Sequence, residues 1–134
     1  VGGFAPIKDI YKTDVWALAT WRNAQAVAGG QTPPIPERSI TKEPSAELRP
    51  DQKDSDSLPD YALLDQVLRA YVDEDHGYEA LLADGFDPEL VRRVISLVDK
   101  AEYKRRQYPP GTKVSGRAFG KDRRLPMTSR WNEK

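Results

Sequence analysis

Cysteine is absent from the 134-residue sequence, and histidine occurs only once, as His76. Without thiols the chain can form no disulfide and no thiolate metal site, and a reducing cytoplasmic location is the default expectation. His76 has no partner at the spacing that helical zinc sites require, so we predict a solvated role for it. These absences exclude thiol redox chemistry and argue against zinc or histidine-triad catalysis.

An excess charge of one sign is also absent. Lysine and arginine number 21, aspartate and glutamate also number 21, and the net charge is therefore zero. Such a chain has no overall field that would attract nucleic acid or a membrane surface. No apolar run approaches the roughly 20 residues that span a bilayer, and the first residues lack the basic and apolar parts of a signal peptide. We expect a soluble cytoplasmic protein.

The composition suggests that another part of a larger protein covers some of this chain. The mean hydropathy is -0.72 and 31% of the residues are charged, which leaves few apolar residues for an independent core. The chain opens on Val1-Gly2-Gly3, which is typical of the interior of a loop. We therefore expect a piece of a longer protein.

Apolar spacing predicts four helical stretches, each with local start or stop signals. A glycine pair follows the first stretch, Gly85 follows the third, and Asp87 is the expected cap of the fourth. The fourth has the broadest apolar face, and continuing its spacing places Lys104 and Arg105 on the covered side. The predicted stretches are residues 11–26, residues 57–75 with Ser57 as N-cap, residues 78–83 and residues 87–101.

Two long segments lack helical periodicity. Residues 31–56 contain five prolines among polar residues, which is incompatible with a regular helix, and we predict a short extended piece at residues 39–42. Residues 109–134 also lack a periodic pattern, and we predict an extended tail that packs over a partner domain. The predicted organisation is a main part, residues 1–108, followed by the C-terminal tail, residues 109–134.

Three stretches contain residue types that bind anions. At the entry of the first helix, Lys8-Asp9-Ile10-Tyr11-Lys12-Thr13 places a lysine near backbone N–H groups that favour phosphate. A proline-stiffened loop presents Ser45 between two carboxylates, and basic residues follow Tyr103 at the end of the last helix. Each stretch also has an ordinary explanation: a solvated lysine, a turn or cap, and cations that complement the helix dipole, respectively.

Considered together, these stretches resemble the NAD synthetase family in their order and approximate spacing. The most specific part is the loop string of lysine, acid, proline, hydroxyl residue, alanine, acid and leucine. The tail resembles the long glutamine-dependent members more than the short ammonia-dependent ones. The matching segments are Phe4-Ala5-Pro6-Ile7 through Lys12, Lys42-Glu43-Pro44-Ser45-Ala46-Glu47-Leu48, Glu102-Tyr103-Lys104-Arg105 and Arg117-Ala118-Phe119-Gly120-Lys121-Asp122-Arg123-Arg124.

The resemblance implies the C-terminal part of a bacterial enzyme that converts deamido-NAD to NAD. Such an enzyme adenylates the nicotinate carboxylate with ATP, and ammonia then displaces AMP. In the long members an N-terminal amidase domain supplies the ammonia from glutamine, and homo-oligomers are common. The implied parent fold is an α/β adenine-nucleotide α-hydrolase-like (Rossmann-like) domain, whereas this segment itself is expected to be mostly α with long loops.

The resemblance also implies roles for four residues. Lys12 resembles the lysine that contacts the ATP phosphates, and Ser45 resembles the hydroxyl residue beside the nucleotide. Lys104 resembles the lysine that holds deamido-NAD, and Tyr103 stands where the short members often have histidine. The family's Ser-Gly-Gly-x-Asp-Ser phosphate loop and magnesium site do not occur in the sequence. We therefore expect ATP and magnesium to be bound mainly by a preceding segment, and no catalytic residue or independent activity in this one.

Two functions from other classes compete with this one. A noncatalytic helical module that buries its last helix against a partner would explain the helices, but not the coincidence of the loop string with the Lys104 cluster. A nucleic-acid binder is less favoured, because the net charge is zero and no aromatic platform accompanies the basic residues Lys121, Arg123, Arg124 and Arg130. The expected partners are deamido-NAD and ATP, with no nucleic acid and no membrane.

Overall fold

The computed structural model describes residues 2–42, 58–118, 122–126 and 128. Within these ranges the chain is mostly helical and contains no β-strand, as predicted for the segment. The predicted Ser57 cap and the loop around Ser45 lie outside the described residues. The helices are α1 (Lys12–Ala28), α2 (Glu37–Thr41), α3 (Tyr61–Leu68) with a π-helical turn (Arg69–Asp73), α4 (Tyr78–Ala83), α5 (Pro88–Lys100) and α6 (Glu102–Arg105).

The chain divides into two compact units. The first unit combines residues 1–10 with residues 63–134, and the second comprises residues 11–62. Helices α1 and α2 belong to the second unit, whereas α4, α5 and α6 belong to the first; α3 begins in the second unit and continues into the first. The residues singled out from the sequence are therefore distributed over both units.

In the second unit, α1 has nearly the predicted extent and the predicted stop signal. The helix ends at Ala28 with Gly29 as its C-cap, and Gly30 has a φ of 69°, a left-handed conformation that glycine adopts readily. The Asn23 side chain then fixes the chain that follows. Its amide nitrogen donates to the Ile35 carbonyl oxygen at 2.8 Å, and its amide oxygen accepts from the Ile35 N–H at 3.0 Å. A side chain of α1 thus orders part of the proline-rich segment.

The prediction of an extended piece at residues 39–42 is wrong for most of that range, because Glu37–Thr41 form α2. Pro36 precedes the first turn, where a missing N–H is no disadvantage and the fixed φ of proline suits a helix start. The Thr41 hydroxyl donates to the Glu37 carbonyl oxygen at 3.1 Å, which adds a bond to the turn. The prediction counted the prolines of the whole segment, but residues 37–43 contain none, and this stretch is long enough for one helical turn.

Three helices, α3, α4 and α5, supply the apolar core of the first unit. The π-helical turn after α3 ends at Asp73, and Asp75 follows with a φ of 57°, close to the predicted end of the helix. Helix α4 packs against α5, and Gly85 follows it with a φ of 91°, as its predicted stop signal requires. The buried apolar residues are Leu64, Val67, Ala70, Tyr71, Tyr78, Leu81, Val91, Val94 and Ile95.

Helix α5 begins with the predicted cap, since the Asp87 carboxylate accepts from the Leu90 N–H at 2.9 Å. Its apolar face is narrower than predicted, because Leu97 is 44% exposed. Leu97 lies beside the stripe of helical positions that faces the core rather than within it. The buried residues of that stripe are Val91, Val94 and Ile95.

The C-terminal segment packs on the N-terminal residues of the same unit. We name residues 109–118 and 122–126 the C-terminal strap. The Pro110 carbonyl oxygen accepts from the Ala5 N–H at 2.9 Å, and the Thr112 hydroxyl donates to the Pro6 carbonyl oxygen at 2.6 Å. This part of the strap is therefore bonded to the N-terminal residues of the same chain.

Asp9 anchors the strap. Only 8% of this residue is exposed, and its Oδ2 accepts from the Val114 N–H at 2.9 Å, the Ser115 N–H at 2.9 Å and the Ser115 hydroxyl at 2.7 Å. Three donors on one carboxylate oxygen offset the cost of burying the charge. Lys8 contributes a further bond, from Nζ to the Pro109 carbonyl oxygen at 2.7 Å. Two residues of the predicted anion site at the helix entry therefore have a structural role.

Tyr71 joins the core to the strap. It is 2% exposed, and its hydroxyl donates to Asp99 Oδ1 at 2.9 Å. The guanidinium carbon of Arg123 lies 4.2 Å from the centroid of the Tyr71 ring, which is a cation–π contact. Burial raises the pKa of Tyr71 to about 12.

We expect the free energy of unfolding to fall as the pH rises above 10, because the pKa of Tyr71 is higher in the folded state than in the unfolded chain. The unfolded chain releases the phenol proton near the ordinary pKa of 10.0, whereas the folded state holds it up to about 12. The stabilisation that the protonated Tyr71 contributes is therefore complete below the pKa of the unfolded chain. It is lost as the pH rises through the pKa of the folded state. Urea midpoints measured from pH 8 to pH 11 should fall more steeply for the wild type than for Tyr71→Phe. Parallel curves would contradict the assignment.

Candidate functional site

Helix α6 presents Tyr103 and Lys104 together at the surface of the first unit. Tyr103 is 49% exposed, Lys104 is also exposed, and the Lys104 Nζ lies 6.0 Å from the centroid of the Tyr103 ring. Both backbone groups of Lys104 are bonded, because its N–H donates to Ala101 at 2.9 Å and its carbonyl oxygen accepts from Gln107 at 3.1 Å. A fixed backbone with an accessible ammonium and phenol ring suits an anionic ligand that also has a planar group.

The predicted orientation of the basic residues is right for one and wrong for the other. Arg105 is buried at 8% exposure, but Lys104 is exposed. The prediction extended the spacing of α5 from Leu97, which is itself exposed, and the α-helix is interrupted at Ala101 before it reaches Lys104. Helical spacing taken from α5 therefore does not fix the side on which Lys104 lies.

Glu102 and Arg105 form a buried ion pair within α6. Glu102 is 4% exposed, and its Oε2 accepts from the Arg105 Nε at 2.9 Å and from the Nη2 at 2.5 Å. Its other oxygen, Oε1, accepts from the Arg106 Nε at 3.3 Å. Both donors of Arg105 converge on the single oxygen Oε2, which leaves Oε1 to accept from Arg106. One carboxylate therefore holds the two residues that follow Lys104.

The same two arginines hold the C-terminal strap. Arg105 Nη2 donates to the Arg123 carbonyl oxygen, and Arg106 Nη2 donates to the Leu125 carbonyl oxygen at 2.8 Å. Arg117 makes another strap contact through a two-pronged ion pair with Asp75. Bonding by Arg117 lowers the pKa of the Asp75 carboxyl, but this pair is at the surface, where such interactions contribute little to stability. The Glu102–Arg105 pair differs from it in being buried, so solvent screens it less.

The basic run of α6 is evident in the sequence, but its network with Glu102 was not predicted. The available signal was an acid followed three and four positions later by arginines, a spacing that places their side chains together on a helix. Such pairs are normally solvated, and their sequence spacing does not distinguish a buried pair from an exposed one. Burial of Glu102 depends on the fold of residues far away in the chain.

Lys12 is the first residue of α1, in the second unit. Its Nζ lies 5.8 Å from the centroid of the Tyr61 ring, which packs edge-to-face against Trp16 with ring centroids 5.7 Å apart. Lys12 is exposed. The N-terminus of a helix carries partial positive charge, so an anion placed there would interact with both the helix dipole and the ammonium group. Ser45, the other predicted ATP contact, lies outside the described residues.

His76, the single histidine of the sequence, pairs with a carboxylate. His76 is not merely solvated, because its Nδ1 lies 2.7 Å from Asp84 Oδ2. Among residues 2–42, 58–118, 122–126 and 128, no group of three His, Cys, Asp or Glu side chains is arranged to hold a metal ion. No helix within these ranges is both long enough and apolar enough to cross a membrane.

These features define a helical segment that exposes the cationic side chains of Lys12 and Lys104 in its described part. A family model for NAD synthase matches residues 1–108. The chain therefore belongs to the NAD synthase family.

Similarity to individual proteins extends beyond the family match. The glutamine-dependent NAD(+) synthetase of Acinetobacter baylyi is 55% identical over 131 residues, which are 98% of this chain and 24% of that protein. The enzyme of the same name from Aquifex aeolicus is 48% identical over 130 residues, covering 97% of this chain and 22% of that protein. This chain thus spans 22–24% of the length of these two relatives.

A solved structure is similar as well. The glutamine-dependent NAD+ synthetase from Acinetobacter baumannii, in complex with adenosine diphosphate, is 43% identical and superimposes with a TM-score of 0.55. The similarity covers 95% of this chain and 21% of that one. The relatives therefore match almost all of this chain through a minor part of their own length.

Proposed function

We propose that this chain is the C-terminal part of a glutamine-dependent NAD synthetase, which converts deamido-NAD to NAD. The nicotinate carboxylate attacks ATP, and pyrophosphate leaves. Ammonia made from glutamine then attacks the activated carbonyl carbon, and AMP leaves. The observation that carries the proposal is the 55% identity with a glutamine-dependent NAD(+) synthetase over 98% of the chain.

Lys104 and Tyr103 are the proposed contacts for deamido-NAD. This substrate carries a carboxylate and a pyrophosphate, and the exposed ammonium of Lys104 would offset their negative charge as the reaction proceeds. A fixed positive charge of this kind stabilises the transition state without transferring a proton or forming a covalent bond. Tyr103 offers a ring face and a hydroxyl donor within the same turn.

Lys12 and Ser45 are the proposed contacts for ATP. Support for Lys12 comes from its place at the start of the 17-residue α1, where the helix dipole and the ammonium have the same sign. Ser45 would contribute a hydroxyl to the nucleotide from the proline-stiffened loop. Neither residue is proposed to act as a nucleophile or as a general acid or base.

Several properties of the whole enzyme remain proposals from the family resemblance. They are a Rossmann-like parent domain that includes residues 1–108, a tail at residues 109–134, an N-terminal amidase domain, homo-oligomer formation and a cytoplasmic location. ATP-dependent chemistry of this kind also uses magnesium. The described residues provide no cluster of three potential ligand side chains for this ion.

The decisive experiment uses the full-length protein that contains this chain. Incubation with deamido-NAD, ATP and glutamine should yield NAD and AMP in equal amounts. A noncatalytic helical module would instead produce no NAD and would form a stoichiometric complex with another protein. Equal yields of NAD and AMP exclude that alternative, and absence of both products contradicts the proposal.

We expect Lys12→Ala in the full-length enzyme to raise the KM for ATP by about 10- to 100-fold, because a charged contact to phosphate contributes on the order of 1.5–3 kcal/mol. The KM for deamido-NAD should change little. Arg22→Ala is the matched control, since Arg22 is an exposed cation farther along α1. Steady-state kinetics with each substrate varied in turn would test this. An unchanged KM for ATP, or an equal effect in the control, would remove the assignment.

A further inference from the structure

We propose that Glu102 is a positioning residue that holds Lys104 for substrate, and that the C-terminal strap supports it through Arg105 and Arg106. This inference rests on the proposed function, because it requires Lys104 to bind deamido-NAD. Glu102 is 4% exposed, so it is not placed to contact a ligand itself. Its effect must pass through the residues to which it is bonded.

Helix α6 needs such support because it is only four residues long. Nucleating a helical turn is unfavourable, and a helix of this length has no stability of its own. It is also separated from α5 by Ala101, so the longer helix does not simply continue through Lys104. Side-chain contacts must therefore maintain the turn on which Tyr103 and Lys104 are presented.

Glu102 provides these contacts from both of its carboxylate oxygens. Oε2 accepts from Arg105 and Oε1 accepts from Arg106, so the acid at the start of α6 is tied to the two residues that follow Lys104. The backbone of Lys104 lies between these fixed points. Rotating or unwinding the turn would separate the carboxylate from both guanidinium groups.

The strap closes the arrangement from the other side. Arg105 and Arg106 each use Nη2 to bond a strap carbonyl oxygen, at Arg123 and Leu125 respectively. Each arginine thus bridges the Glu102 carboxylate and the strap backbone. A role of this kind explains why a buried charge pair lies beside an exposed lysine, since a buried pair by itself is weak evidence for stability.

The test is a double-mutant cycle in the full-length enzyme with Glu102→Gln, Lys104→Ala and both together. Glutamine preserves the shape of Glu102 but removes the charge that both arginines share. We expect Glu102→Gln to weaken deamido-NAD binding by roughly tenfold, because displaced contacts propagate to the ligand site. The KM for ATP should not change. With Lys104 already removed, adding Glu102→Gln should weaken binding no further.

Arg106→Ala is the second variant, and it applies if Glu102→Gln fails to fold. The Arg106 side chain is 36% exposed, so its removal is compatible with folding. It should weaken deamido-NAD binding less than Glu102→Gln, and again only when Lys104 is present. An unchanged affinity in the folded variants, or effects that multiply fully with Lys104→Ala, would overturn the positioning role while leaving the proposed function intact. An unchanged affinity in Lys104→Ala alone would instead remove the proposed substrate contact and the positioning role with it.

Discussion

Replacing Gly111 by alanine in the full-length protein is expected to detach the C-terminal strap. A Cβ at this position would overlap the Ala5 carbonyl oxygen and would lie 3.0 Å from Lys8 Cε and 3.1 Å from Lys8 Cγ. The backbone cannot move aside freely, because Ala5 N–H donates to Pro110 at 2.9 Å and Lys8 Nζ donates to Pro109 at 2.7 Å. Forcing a methyl group into such a contact costs about 1–3 kcal/mol.

The loss should be visible as faster hydrogen exchange of the Val114 and Ser115 amides. Both amides donate to Asp9 Oδ2 at 2.9 Å, and these bonds depend on the approach of the strap to residues 5–9. Gly116→Ala is the matched control, because an added Cβ there meets nothing within 4 Å. It should change the free energy of unfolding by less than about 0.5 kcal/mol. Unchanged exchange in Gly111→Ala would show that the strap is not held by this close approach.

The helices of the first unit were predictable because their signals are local. Apolar spacing predicted α5, and the Asp87 cap is confirmed by its bond to Leu90. The positions of Gly85 and the turn at Asp75 also agree with the predicted ends of α4 and of the helix before it. Rules that use neighbours within about one helical turn are sufficient for elements of this kind.

The strap and the buried network were not predictable by the same means. Asp9 and Ser115 are more than 100 positions apart, and no local pattern identifies one as the partner of the other. Asp9 resembled part of an anion site, whereas its carboxylate is satisfied by the strap. Glu102 carries no local signal of burial, because its spacing to Arg105 is common on exposed helices. Long-range packing decided the role of both acids.

Lys104→Ala in the full-length enzyme is expected to raise the Kd for deamido-NAD by about 10- to 100-fold. A hydrogen bond to a charged partner contributes on the order of 1.5–3 kcal/mol, and each 1.4 kcal/mol corresponds to a factor of about ten. Lys104 is exposed, so the free energy of unfolding should change by less than about 0.5 kcal/mol. Titration calorimetry with deamido-NAD and a urea unfolding curve would measure the two quantities separately.

Lys100→Ala distinguishes a local contact from a general electrostatic effect. Lys100 is exposed at the end of α5, and its removal changes the net charge by the same amount as removal of Lys104. If both variants weaken binding equally, the field around the helices attracts the ligand and no specific contact is needed. If only Lys104→Ala weakens it, the ammonium on α6 contacts the substrate. If Lys104→Ala binds deamido-NAD with wild-type affinity, Lys104 does not contact the substrate. The basic residues of α6 would then serve only to complement the dipole at a helix C-terminus.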